Sequence, residues 1–300
     1  MTGSVRRPTL GRPDLHTSER PSSTAQWTTL GRALELRRED RIVTDMYAPV
    51  FLSGSSQALL RSLDVAGPLV RQAERLALAG LAASGLCRHR FIDEHLCAAL
   101  PDVDQVLILG AGYDSRAYRF ADEIGDRPVY EVDLAPLSRR KAAVIKAHAE
   151  LFAHASIRRV EIDFRTQSLP AQVGSTDFAV GAATFVVWEG VSMYLDASAV
   201  HGTLAALASL CGPGSVLAMD YWQTVRGPGG YPLRRFVERG MAVIGEPIGF
   251  AVDAAAVPSV LEPHGFEVDD LAEGAEMSER YATGGRRCDP GMYVVAARLA

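Results

Sequence analysis

The sequence is poor in lysine and has no long apolar run. Lysine occurs only at Lys141 and Lys146, and we attach no functional meaning to this bias because arginine supplies the other basic residues. The net charge of −5 at pH 7 argues against nucleic acid as the main partner, since neutralising phosphates usually requires a basic excess. No apolar run approaches the roughly 18 residues that would predict a transmembrane helix, so no membrane partner is predicted.

Cysteine is also scarce, and its spacing carries no metal motif. The four cysteines, Cys87, Cys97, Cys211 and Cys288, form no CxxC pair, so we predict neither a disulfide framework nor a metal site. We interpret them as reduced thiols that pack as small apolar side chains in a cytoplasmic protein. The N-terminus lacks the apolar core of a signal peptide, which agrees with that location.

The 300 residues suit one large domain with an elaborated cap. Residues 1–24 hold few large apolar side chains and are predicted to form a disordered arm. The following segment, 25–104, is rich in alanine and leucine at helical spacing, and we interpret it as a helical N-terminal cap. From residue 105 to 300 the pattern changes to apolar runs that alternate with helical segments.

This alternation predicts an α/β fold with a doubly wound, Rossmann-like sheet. The sheet should be mostly parallel, with helices on both faces and a C-terminal antiparallel hairpin around a loop. A helix is expected near 113–125, and residues at about 222–260 are predicted to form a helical insertion over the sheet edge. The predicted strands are "QVLILG", "PVYEVD", "IRRVEID", one within "FAVGAATFVVWEG", "SVLAMDYW" and two in the tail, "LEPHGFEVDDLA" and "GMYVVAARLA".

The first strand runs into a glycine turn in "VLILGAGYDSRAYRF". Gly110 and Gly112 would let the backbone approach a ligand closely, because glycine has no Cβ and accepts positive φ. A dinucleotide fingerprint would have a third glycine where Ser115 stands. Asp114 would also repel a pyrophosphate, so a nicotinamide dinucleotide is disfavoured. By itself this turn could equally be a structural feature.

Carboxylates follow the next three strands. Asp133 ends the second strand, Asp163 the third, and Glu189 follows the fourth, with Phe164 placed to cover an aromatic ring. Each aspartate alone could be a helix cap. Because the carboxyl ends of parallel strands share one edge, the three together indicate a ligand that bears a diol and positive charge. S-adenosylmethionine has both.

These segments resemble the leucine carboxyl methyltransferase-like family, which includes S-adenosylmethionine-dependent O-methyltransferases of tetracenomycin-polyketide type. The resemblance implies a class I methyltransferase fold and covers about residues 27–220 well, but the tail only in outline. It is carried by "VLILGAGYDSRAYRF", "YEVDLAPLSRRKAAVI", "EIDFR", "WEGVSMYLD" and the R-x-R-F-x-D element in "CRHRFIDEHL".

The resemblance also implies roles for individual residues. Gly110 and Gly112 would lie against the methionine part of the cofactor, and Asp133 would bind the ribose. Asp163 and Phe164 would hold the adenine. In addition, Glu189 would face the amino group, Tyr194 would face the substrate, and Arg88 would hold a carboxylate of either cofactor or substrate, with Arg90 as a second candidate.

No histidine lies in the central motifs, and His89 and His95 are expected on a helix surface. An ionised carboxylate acceptor needs no general base, so we predict a methyl ester formed on a small molecule or peptide, with a role in natural product biosynthesis. A hydroxyl acceptor, a nicotinamide-dependent oxidoreductase and a silent binding protein remain alternatives. Arg116 and Arg119 fit a site role and a structural ion pair equally well, and the sequence does not indicate the oligomeric state.

Overall fold

The computed structural model describes residues 23–65, 79–152, 156–164, 166–223, 238–242 and 246–300. Within them, seven strands form one sheet in the order β3-β2-β1-β4-β5-β7-β6. Neighbours among β1 to β5 run parallel, whereas β7 runs antiparallel to both β5 and β6. The strands are β1 (Gln105–Leu109), β2 (Val129–Asp133), β3 (Ile157–Glu161), β4 (Thr184–Trp188), β5 (Val216–Trp222), β6 (Phe266–Glu273) and β7 (Met292–Leu299). The predicted mostly parallel sheet with an antiparallel C-terminal pair is confirmed.

Helices precede the sheet and connect its strands. Single 3₁₀ turns lie at Leu100–Asp102, Ser192–Tyr194, Ala254–Ala256 and Glu262–His264. The α-helices are α1 (Ser23–Glu35), α2 (Ala48–Phe51), α3 (Gly54–Val65), α4 (Ala79–Ala99), α5 (Arg116–Arg119), α6 (Ala121–Ile124), α7 (Ala135–Ala147), α8 (Leu169–Val173), α9 (Ala197–Leu210), α10 (Val257–Leu261) and α11 (Gly274–Tyr281). None of the helices in the described ranges is both long and apolar enough to cross a membrane.

The central strands are buried on both faces, which explains why their sequences are mostly apolar. Every residue of β1, β2, β4 and β5 is buried. Because side chains alternate along a strand, Val106 and Ile108 pack with one core cluster and Leu107 and Leu109 with the other. Helix α4 covers the first face and α9 the second.

The N-terminal segment differs from its predicted boundaries. Residues 1–22, most of the predicted arm, lie outside the described residues, and α1 already begins at Ser23. Helix α4 contributes Phe91, Ile92 and Leu96 to the same core as β1, so this part of the segment packs directly against the sheet. The division into arm, cap segment and ligand-binding domain stays a prediction.

Three other local expectations change. The helix expected near 113–125 is two short helices, α5 and α6, because Phe120 leaves helical geometry at φ −113° and ψ 28°. The two tail strands pair as predicted, but α11 lies between them. Of the predicted insertion at 222–260, residues 238–242 are helical, while 224–237 and 243–245 lie outside the described residues.

The strand order reverses between β1 and β4, and we call the carboxyl-end edge of the sheet at this point the crevice. From β1 the chain continues to β2 and β3 on one side, and β4 continues to β5 on the other. In such sheets the carboxyl ends of the strands at the reversal point diverge and bind ligands. The glycine turn follows β1 at this edge, and Glu189 follows β4.

Candidate functional site

The turn after β1 requires glycine at its first position. Gly110 has φ 61°, and a Cβ there would lie 2.3 Å from Val191 Cγ2. Gly112 has φ 43°, and a Cβ there would make ordinary van der Waals contacts, 3.7 Å from the Gly110 carbonyl oxygen and 3.9 Å from the Ala25 Cβ. Gly110 therefore permits close packing against the loop after β4, whereas a Cβ at Gly112 would contact Ala25 of α1 without a clash.

Asp133 lies directly beside this turn at the end of β2. Its Oδ2 accepts a hydrogen bond from the Gly112 N–H at 2.5 Å, and its Oδ1 accepts one from the Leu134 N–H at 2.6 Å. Burial raises the pKa of Asp133, although both N–H groups act in the opposite direction. The carboxylate thus fixes the turn and does not cap α7, whose N-cap residue is Leu134. A ribose contact would use its remaining lone pairs.

Asp163 and Phe164 follow β3 at the same edge. The Ile162 N–H donates to the Asp133 carbonyl oxygen at 2.9 Å, so the two strand ends are adjacent. Both Asp163 and Phe164 are partly buried, and Phe164 packs against the core. The structure thereby places Asp133, Asp163 and Phe164 side by side, as the pattern predicts.

Arg88 joins the ends of β4 and β5. Its Nε donates to Glu189 Oε1 at 3.1 Å and its Nη1 to Asp220 Oδ2 at 2.5 Å. The Gly190 N–H donates to the other oxygen of Asp220 at 2.6 Å. A Cβ at Gly190 would lie 3.1 Å from Arg88 Nη2. The guanidinium therefore already holds two carboxylates of the protein, and Nη2 is the nitrogen that faces the glycine.

A second layer of charges lies against Glu189. Arg116 Nη2 is 2.8 Å from Glu189 Oε2, and Arg116 also pairs with Asp93 and Asp114. Arg119 donates to both oxygens of Asp93, at 2.7 and 2.9 Å. We call the whole group the ion cluster, and it consists of Arg88, His89, Asp93, Asp114, Arg116, Arg119, Glu189 and Asp220.

Burial and charge set the protonation of the cluster. Burial favours protonated Glu189, but Arg116, Arg88 and the hydrogen bond from His89 outweigh it and hold the pKa of Glu189 well below its usual value. Burial also raises the pKa of Asp220, against the opposing charge of Arg88. Arg88 and Arg116 remain cations, since nearby carboxylates raise the pKa of each despite burial.

The balance of charge in the ion cluster fits a cationic ligand. Three guanidinium groups face four carboxylates, which leaves one excess negative charge. Asp133 adds another carboxylate beside the turn. S-adenosylmethionine carries a sulfonium, an ammonium and one carboxylate, so its net positive charge matches this edge of the sheet.

Arg90 is the predicted site residue that the structure does not bring to the others. Its side chain is 48% exposed and pairs with Glu94 at 2.8 Å. It also donates to the Ile42 carbonyl oxygen at 3.1 Å. Successive helical residues are rotated by about 100°, so positions 88 and 90 point to opposite sides of α4.

Tyr194 ends the 3₁₀ turn Ser192–Tyr194, and this turn is hydrogen-bonded to the segment around Gly249. The Gly249 N–H donates to the Met193 carbonyl oxygen at 2.8 Å. Burial raises the pKa of Tyr194 to about 12, with Arg88 and Glu246 among the charges that act on it. The Thr24 hydroxyl donates to Glu246, so α1 lies beside this phenol. Tyr194 is therefore a protonated hydrogen-bond donor next to Arg88.

Sequence reasoning missed three members of the ion cluster. His89 is 1% exposed, and Asp93 and Asp220 are 7% and 0% exposed. His89 was expected on a helix surface, which is wrong because Glu189, Arg116 and Arg119 cover this side of α4. Asp93 stands in the R-x-R-F-x-D element and Asp220 interrupts an apolar strand, which are the two features that could have indicated them.

Known proteins share this chain's sequence pattern and its fold. The family model described as leucine carboxyl methyltransferase matches residues 25–208, more than half of the chain. The chain belongs to this family. A protein of Mycolicibacterium smegmatis named "Putative S-adenosyl-L-methionine-dependent methyltransferase" is 30% identical over 82% of each chain. A Parafrankia protein of the same description is 34% identical over 66% of this chain and 62% of its own length.

A solved structure agrees with the assignment of fold. The crystal structure described as a "putative methyltransferase" from Thermobifida fusca covers 96% of this chain and 97% of its own, with a TM-score of 0.59 and 16% identity. The predicted family and the predicted class I methyltransferase fold are both confirmed. At that identity the likeness speaks for the fold, and the roles of the site residues stay predictions.

Proposed function

We propose that the protein transfers a methyl group from S-adenosylmethionine to a carboxylate oxygen of a small molecule or peptide. The coarser part, a methyltransferase that uses S-adenosylmethionine, follows from membership of the leucine carboxyl methyltransferase family and from relatives so named. Family membership leaves the nicotinamide-dependent oxidoreductase without support. The acceptor is the finer part of the proposal.

The cofactor's parts match the residues along the crevice. The turn at Gly110 and Gly112 would lie against the methionine part of the cofactor, and Asp133 would accept hydrogen bonds from the ribose. Asp163 and Phe164 would hold the adenine, while Glu189 would pair with the amino group. The excess negative charge of the ion cluster supports this orientation.

Methyl transfer needs alignment more than acid–base chemistry. When bound, S-adenosylmethionine supplies an electrophilic methyl group on sulfur. The residues of the crevice would align the acceptor oxygen with it and exclude water, which are the main sources of rate enhancement for such a displacement.

The observation that carries the carboxylate proposal is that both ring nitrogens of His89 already have partners within the ion cluster. His89 is buried, with Nδ1 2.9 Å from Glu189 Oε2 and Nε2 2.9 Å from Arg119 Nη2, so it cannot reach an acceptor as a base. Tyr194 is a donor, because its pKa of about 12 keeps it protonated. A donor next to Arg88 would hold an acceptor carboxylate, which is ionised at neutral pH without help.

One observation favours a hydroxyl acceptor instead. Glu246 lies near Tyr194 and raises the pKa of that phenol. A carboxylate at this position would repel a carboxylate acceptor and could take the proton of a hydroxyl. We therefore keep hydroxyl O-methylation as the second candidate.

A product assay separates the two. The protein is incubated with S-adenosylmethionine and matched pairs of carboxylic acids and phenols, and mass spectrometry detects the gain of a methyl group. A methyl ester is expected, and mild alkali should remove it. The rate of methylation should be nearly constant between about pH 6 and 8, because the acceptor carboxylate stays ionised. An alkali-stable product whose formation rises with pH would establish the hydroxyl acceptor. Binding of the cofactor without turnover of any pair would support a silent binding protein.

A further inference from the structure

His89 lies inside the ion cluster and contacts charged groups from two other elements. Its imidazole is 1% exposed. Nδ1 is 2.9 Å from Glu189 Oε2, and Nε2 is 2.9 Å from Arg119 Nη2. It also lies near Asp93 on its own helix, with Nε2 and Asp93 Oδ1 4.0 Å apart. Each ring nitrogen therefore has a partner that can act in only one way, because Arg119 can only donate a hydrogen bond and the Glu189 carboxylate can only accept one.

The partners decide which nitrogen carries the proton. Arginine has only donors, so Arg119 requires an unprotonated Nε2 that accepts. A neutral imidazole then carries its proton on Nδ1, where it donates to Glu189 Oε2. The hydrogens of Arg116 Nη2 go to Glu189 Oε2 at 2.8 Å and to the His89 carbonyl oxygen at 3.1 Å. In this arrangement both ring nitrogens of His89 are satisfied.

The other protonation states satisfy fewer groups. Arg116 Nη2 also lies 2.8 Å from Nδ1 and could donate there, but Nε2–H would then face Arg119 and the Nδ1 lone pair would face Glu189. In an imidazolium both ring nitrogens would carry hydrogens, which would face the N–H groups of Arg116 and Arg119. Burial, reinforced by Arg116, lowers the pKa of His89, which agrees with a neutral ring.

We propose that His89 is a positioning residue, whose Nδ1–H tautomer, set by Arg119, orients the Glu189 carboxylate toward the amino group of S-adenosylmethionine. The inference rests on the proposed use of that cofactor. A neutral donor has a specific advantage here, because it fixes Glu189 without cancelling the excess negative charge of the ion cluster. A further cation at this position would weaken the attraction for a cationic ligand.

Three substitutions test the role of Nδ1. In His89→Asn the amide nitrogen can take the place of Nδ1 and donate to Glu189, whereas His89→Leu has no donor. His89→Gln places its amide near the position of Nε2 and leaves Nδ1 unreplaced. Calorimetry with S-adenosylmethionine and S-adenosylhomocysteine should show about ten- to hundredfold weaker binding for Leu and Gln, and less than about threefold for Asn. His95→Asn on the same helix is the control and should bind as the wild type does.

The tautomer is measured without any ligand. Nitrogen NMR of protein labelled at histidine, with His89→Asn used to assign the His89 signals, should show a proton on Nδ1 and none on Nε2 at pH 7. A protonated Nε2, or binding by the Gln and Leu variants equal to that of Asn, would overturn the inference. If His89→Leu does not fold, the comparison of Gln with Asn decides. Failure of the wild-type protein to bind either ligand would instead remove the proposed function, whichever tautomer is found.

Discussion

Arg88 and Arg90 stand two residues apart in one motif, yet their surroundings are opposite. The Arg88 side chain is 8% exposed and bridges Glu189 and Asp220. The Arg90 side chain is 48% exposed and pairs with Glu94 on its own helix. Sequence alone could nominate either arginine, because nothing in the motif shows which side of α4 the crevice occupies.

This pair provides a matched experiment. Arg88→Lys should weaken binding of S-adenosylmethionine by about tenfold or more, because one ammonium cannot reproduce the two directed hydrogen bonds to separate carboxylates. Arg90→Lys should change it by less than about twofold, since an exposed ion pair contributes at most about 1 kcal/mol. Calorimetry on both variants, with melting curves to confirm folding, checks this. Equal effects of the two substitutions would remove Arg88 from the site.

Asp133 combines a structural contact with the predicted ribose contact. Asp133→Ala should weaken cofactor binding by about ten- to hundredfold, because a charged hydrogen-bonding partner is lost. It should also lower the melting temperature, since the Gly112 and Leu134 N–H groups lose their acceptor. Asp133→Asn, which keeps one acceptor oxygen, should lie between Ala and the wild type. With exposed Asp126→Ala as the control, a lower melting temperature at unchanged affinity would mean that Asp133 only fixes the turn.

At the level of elements, the strands and their carboxyl ends could be predicted from the sequence. Their apolar runs are local, and Asp133, Asp163 and Glu189 each directly follow one. The ion cluster is not local: His89 meets Arg119 and Glu189, which are 30 and 100 residues away in the chain. Asp220 lies within β5, where no strand end marks it. Helical periodicity cannot report contacts of this kind, because they depend on how α4 is placed against the sheet.

In the turn between β1 and α5, Gly110 should matter mainly for stability and Gly112 mainly for cofactor binding. Gly110→Ala should destabilise the fold by several kcal/mol, since it combines left-handed strain with a contact of 2.3 Å to Val191. Gly112→Ala should cost about 1–2 kcal/mol of strain and mainly reduce cofactor affinity, because its Cβ would meet no atom closer than 3.7 Å but would stand in the turn proposed to contact the methionine part. Urea unfolding and calorimetry on both variants measure these effects. Similar losses of stability in both, with unchanged cofactor affinity in Gly112→Ala, would contradict the proposed contact between Gly112 and the ligand.

For the whole molecule, the ion cluster makes stability depend on pH. Although burial opposes it, the charges of Arg116 and Arg119 lower the pKa of Asp93 from 3.8 to about 2. A carboxyl whose pKa is depressed on folding stabilises the protein above its unfolded value, and this contribution is lost as the pH falls toward the folded value. The buried neutral His89 has the same sign, because the unfolded imidazole binds a proton near pH 6.5 more readily than the folded one does. Asp133 and Asp220, whose pKa values burial raises, act in the opposite direction.

The free energy of unfolding should therefore begin to fall below about pH 6.5 and fall further below about pH 4. The Asp93 contribution is about 2 kcal/mol, because folding lowers its pKa from 3.8 to about 2. Urea unfolding between pH 7 and 3 should show a smaller decrease below pH 4 in Asp93→Asn, and a smaller decrease between pH 6.5 and 5 in His89→Asn. His95→Asn should follow the wild type throughout. Parallel curves for all four proteins would show that the acid sensitivity lies outside the ion cluster.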